Sequence, residues 1–85
     1  MSMRLTKAVR RKLGALVDVA HQTVAEVIRG RGGNAANVRE AGPWADKSLV
    51  ETAQASLQGD ETASKAIKIA KQARRLGQKY GGDSS

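Results

Sequence analysis

Apolar residues recur at steps of three and four along nearly the whole chain, and no segment alternates polar with apolar residues as a half-buried strand would. That periodicity confines the chain to helices. From Leu5, the residues Val9, Leu13, Leu16, Ala20, Val24 and Val27 share one stripe with Val17 and Ile28 at its edge, which predicts a helix over about 5–29. Gly30 is placed to end it in the left-handed conformation. Asn34 suits the N-cap of a short helix over about 34–41, closed by Gly42 and Pro43. Pro43 fits the first turn of a third helix over about 43–58, where Ala45, Leu49, Val50, Ala53 and Leu57 share a face and Gly59 is the stop. Asp60 caps a fourth over about 60–80, with Glu61 in its first turn and Ala63, Ala66, Ile67, Ile69, Ala70, Ala73, Leu76 and Tyr80 on the apolar side. The expected fold is an all-α bundle of three to four helices, a single domain over 1–80 followed by a disordered tail at 81–85.

A chain of 85 residues hides only about 60–70% of its unfolded surface. The core must also do without large side chains: Phe is absent, Trp44 and Tyr80 are the only aromatics, and much of the 40% apolar content is Ala. On these grounds the stripes of the first and fourth helices are expected to stay partly uncovered in one copy, making a homodimer the simplest remedy. Cysteine is absent, so disulfides and thiolate chemistry are excluded. No run approaches the roughly 18 apolar residues of a membrane span, and no apolar leader opens the sequence. The expectation is a soluble cytoplasmic protein with no membrane partner.

Fifteen Lys and Arg against eight Asp and Glu give a formal charge of +7. The excess lies at both ends: residues 1–12 hold Arg4, Lys7, Arg10, Arg11 and Lys12 without an acid, and residues 64–80 hold Lys65, Lys68, Lys71, Arg74, Arg75 and Lys79 without an acid. Such clusters attract polyanions, nucleic acid above all. On the fourth helix Lys65, Lys68, Lys71, Arg75 and Lys79 fall within about 120° of arc, a basic ridge in which no base after Lys65 has a Glu one turn earlier to pair with it. On the first helix Arg4, Lys7 and Arg11 crowd the end where the helix dipole is already positive, which phosphate binding explains and dipole compensation does not.

Between the basic ends, the stretch from Val24 to Ala41 has the outline of a loose helix-turn-helix with Val38 inward. Arg29, Arg31, Asn34, Asn37 and Arg39 are its candidate contacts, because Asn can read adenine and Arg guanine in the major groove. Helix stopping and capping account for Gly30 and Asn34 without any ligand, but not for three arginines gathered around them. The turn, counted from Gly30 to Asn34, is longer than a tight helix-turn-helix uses.

Catalysis, metal binding and cofactors find little support. His21 is the one histidine, with Asp18 a turn earlier as a pairing partner, and "GRGGNAAN" lacks the Gly-Lys-Ser/Thr ending of a phosphate loop. Trp44 is expected to pack on the second helix. The sequence reads as a small basic nucleic-acid-binding protein, a regulator or accessory factor. Double-stranded DNA is favoured over RNA because no aromatic platform for stacking bases is present. The rival reading is a helical interaction module that docks on an acidic protein partner.

Overall fold

A computed structural model describes residues 5–19 and 21–79, without the side chains of residues 17–19, 78 and 79. Arg4, Ala20, Tyr80 and the expected tail at 81–85 lie outside the described residues, as do the side chains of Val17, Asp18 and Lys79. Within them the fold is all-α: α1 (Lys7–Leu13), a 3-10 turn (Gly14–Val19), α2 (Val24–Gly30), α3 (Ala35–Ala41), a 3-10 turn (Gly42–Trp44), α4 (Leu49–Leu57) and α5 (Glu61–Lys79). The longest helix, α5, is the axis against which α4, α2 and α3 pack.

The single helix expected over 5–29 is divided. Gly14 takes φ +58° at the end of α1, where its N–H donates to the Arg10 carbonyl, and a new helix begins only when the Thr23 hydroxyl accepts from the Glu26 N–H at 3.2 Å. Fraying costs α2 nothing, because other chain segments take up its first donors: Val24 N–H donates to the Lys47 carbonyl at 3.1 Å and Ala25 N–H to the Ala45 carbonyl at 2.9 Å. The stripe survives the break, for Val9, Leu13, Leu16, Val24 and Val27 are all buried. The bend wraps the apolar face around the core instead of extending it past the end of a small molecule.

The third helix also starts later than its sequence suggests. Ser48 caps α4 by accepting from the Glu51 N–H at 3.1 Å, while Pro43 opens the preceding 3-10 turn. Trp44, in that turn, is half-buried against the core, as expected. Gly30 is the last residue of α2 and is not left-handed; Gly32, at φ +95°, takes that role. Asn34 and Asp60 cap as expected, their side-chain oxygens each accepting at 2.9 Å from the N–H of Asn37 and Ala63 respectively.

Small side chains make the core. Ala63, Ala66, Ala70 and Ala73 form much of the buried face of α5, and Leu13, Leu16, Ile28 and Leu49 are among its largest fully buried neighbours. Alanines bring helix axes close, so modest side chains fill the space between them. Among the described residues the α1 and α5 stripes are mostly covered within one copy, while Leu76, on the α5 stripe, is 42% exposed and Leu57 of α4 is 47% exposed.

Candidate nucleic-acid interface

The glycines around Arg31 have a packing role. The turn between α2 and α3 lies against the C-terminal end of α5, where a Cβ on Gly77 would stand 2.8 Å from the Arg31 carbonyl oxygen and one on Gly32 would touch Leu76 Cβ at 3.6 Å. Gly33 is equally confined, its N–H donating to the Ile28 carbonyl. The connection between the helices is four residues, Arg31–Asn34, and so shorter than the sequence count that argued against a helix-turn-helix. Arg31 is half-buried in this contact, while Arg29 and Arg39 are exposed. Asn34 is exposed but its oxygen is occupied by the cap, and Asn37 is half-buried. Of the five residues named from this stretch, the two exposed arginines are the freest to meet a ligand.

The ridge on α5 is divided among three surroundings. Lys65 leans toward α3, where its ammonium stands 3.5 Å from Glu40, the one ion pair among the described residues. Both partners are more than half exposed, so the pair stabilises the fold by at most about 1 kcal/mol. Lys68 and Arg75 are exposed. Lys71 turns the other way, toward α1, and is half-buried. Burial, and then the neighbouring Lys12 ammonium, hold its pKa below the ordinary lysine value.

That side of α5 and the α1 end form a cleft. Ala8, Arg11, Lys12, Leu57 and Lys71 line one part, and Gly14, Ala15, Leu16, Lys71, Arg74 and Arg75 line the next, with Lys71 common to both. The two hollows hold about 350 and 200 Å³, and neither has an acid in its lining. Arg11, Lys12, Lys71, Arg74 and Arg75 thus converge from opposite ends of the sequence. Lys7, also on α1, is exposed and lies outside this lining.

Sequence reasoning singled out Arg11, Lys71 and Arg75 but passed over Lys12 and Arg74. Arg74 lies at the edge of the apolar arc of α5, so a helical projection treats it as a flank of the core. Lys12 comes beside Lys71 only through the way α1 lies against α5. The unbroken run Arg10-Arg11-Lys12 ahead of a glycine was the available signal.

His21 is exposed, and among the described residues no three His, Asp or Glu side chains gather to hold a metal ion. Nor is any described helix long and apolar enough to cross a membrane. No family model, curated protein or solved structure matches the chain.

Proposed function

We propose that this protein binds nucleic acid through the cleft between α1 and α5, as a small regulator or accessory factor. The observation that carries the reading is the convergence of Arg11, Lys12, Lys71, Arg74 and Arg75 on a surface with no acid in its lining. Bringing like charges together costs free energy in the free protein, and a polyanion that displaces its counterions onto such a surface recovers it. Duplex DNA is favoured over single strands and RNA. Stacking on unpaired bases needs an exposed aromatic face, and Trp44, the one aromatic among the described residues, is half-buried against the core. Phosphate contacts in the cleft supply affinity for any sequence; exposed Arg29 and Arg39 supply what preference there is.

One observation favours the rival reading of an acidic protein partner: Leu57 is 47% exposed at the cleft, an apolar foothold that phosphates do not need. Titrating labelled duplex, single strand and an acidic polypeptide of equal charge separates the readings. Tighter binding of the duplex supports the proposal. Preference for the polypeptide overturns it.

A further inference from the structure

We propose that the hollow between the Gly14 turn and the C-terminal half of α5 seats one phosphate group, anchored by Arg74 with Lys71 and Arg75 around it and Lys12 in the adjoining hollow beside Lys71. The nucleic-acid reading enters only in naming the polynucleotide backbone as the source of that phosphate. The seat itself rests on local geometry.

The Nε of Arg74 is buried and has no hydrogen-bond partner, the one such side-chain atom among the described residues. A buried guanidinium donor without an acceptor is a standing cost that an incoming oxygen removes. Arg74 lines the hollow while its Nε is closed off from solvent, so an anion that enters takes up the unpaired Nε–H by turning the guanidinium toward it.

Gly14 shapes the opposite wall. Its φ of +58° is a conformation that L side chains rarely adopt, and a Cβ there would stand 3.4 Å from Lys71 Cε and 3.5 Å from Lys71 Nζ. The Lys71 ammonium lies over this turn, where the two hollows meet. Lys71 is disfavoured as a cation in the free protein, chiefly by burial and then by Lys12, and the attraction of a bound anion opposes both effects.

The number of donors selects the chemistry. Lys71, Arg74 and Arg75 line the hollow from one helix and Lys12 lines the hollow next to it, so positive charge meets an anion from more than one element. A carboxylate offers two coplanar oxygens; a phosphate group offers oxygens in tetrahedral directions and more negative charge. The hollow, at about 200 Å³, has the room of roughly six water molecules, enough for a phosphate group with part of its hydration.

Nitrogen-15 resonances of the full chain test the seat. Inorganic pyrophosphate, acetate and chloride are titrated at matched ionic strength, following the Arg74 Nε–H and the Gly14 backbone N–H, with the Arg39 Nε–H as the distant control. Pyrophosphate should shift the first two saturably while acetate and chloride do not. Arg74→Gln and, separately, Lys12→Gln should each weaken pyrophosphate by about tenfold with helical content unchanged. If all arginine resonances drift together without saturating, with acetate and chloride as with pyrophosphate, the seat does not exist.

A short duplex added in a second arm identifies the source. Duplex-induced shifts at Arg74 and Gly14 that give way to the pyrophosphate-bound positions as pyrophosphate is added assign the seat to the polynucleotide backbone. Salt-dependent duplex binding that leaves both resonances in place overturns the seat and leaves the nucleic-acid reading intact. A saturable pyrophosphate response without any duplex binding keeps the seat, for free phosphates, and overturns the nucleic-acid reading.

Discussion

Thr23 and Ser48 face each other across an isolated antiparallel bridge, and each is the N-cap of a helix. The two helix starts are stitched reciprocally: Leu49 N–H donates to the Gln22 carbonyl at 2.9 Å while Val24 N–H donates to the Lys47 carbonyl at 3.1 Å. Each cap is followed three residues later by a glutamate, Glu26 and Glu51, the spacing of a capping box. Ser48 completes a side-chain pair, its hydroxyl donating to Glu51 Oε1 at 3.2 Å.

Thr23→Ala and Ser48→Ala should therefore each destabilise the fold by about 1 kcal/mol. Because the caps share one bridge, the double variant should lose measurably more or less than the sum, by about 0.5 kcal/mol or more. Urea unfolding of the four proteins checks this. Strict additivity would mean that the two helix starts are independent.

Glycines that look alike in the sequence should respond oppositely. Gly77→Ala gains helix propensity but drives a methyl group against the Arg31 backbone, so a net loss of about 1–3 kcal/mol is expected. Gly30→Ala meets nothing within 4 Å and needs no left-handed backbone, so it should be neutral or stabilising, by up to about 1 kcal/mol. Thermal unfolding of the two variants distinguishes them.

The contrast marks how far the sequence could be read. Helix type and facing were legible throughout, since the residues assigned to the core, from Val9 to Ala73, are buried almost without exception. The break at residues 14–23 was not, because a stripe at steps of three and four continues through a bend that wraps it around the core. The signal for the new start is Thr23 with Glu26 three residues on, a capping-box spacing that the continuous stripe masks. For the site, charge placed the bases at both ends of the sequence, whereas the meeting of Lys12 with Lys71 depends on how α1 lies on α5, a tertiary fact with no local sequence signal.

Lys71 should trade stability for binding. Its lowered pKa means that the folded state disfavours the ammonium, so its destabilising effect is fully present below the folded pKa. The effect fades as pH rises from that pKa toward the unfolded lysine value, and stability rises with it. At neutral pH, Lys71→Gln should raise stability by up to about 0.5 kcal/mol, a figure discounted for the solvent screening of a half-buried group. The same variant should weaken duplex binding. A variant that loses both would make Lys71 a structural residue.

Sequence preference, if the duplex is read, should depend on the exposed arginines. Arg39→Ala should reduce discrimination between preferred and unrelated duplexes by about 1–3 kcal/mol, with little loss of affinity for the unrelated ones. Competition titration measures both quantities. Equal loss on every sequence would assign Arg39 to phosphates instead.

The most direct test of a phosphate-binding cleft is the salt dependence of duplex affinity, compared between the parent and a Lys12→Gln/Arg75→Gln double variant. For the parent, affinity should fall by about tenfold or more between about 50 and 200 mM monovalent salt. Removing two cleft contacts should lower the slope of log affinity against log salt by about 2, while Lys65→Gln, whose partner is Glu40, should change it little. A parent slope near zero, or a slope that Lys65→Gln abolishes and the double variant leaves unchanged, would contradict it.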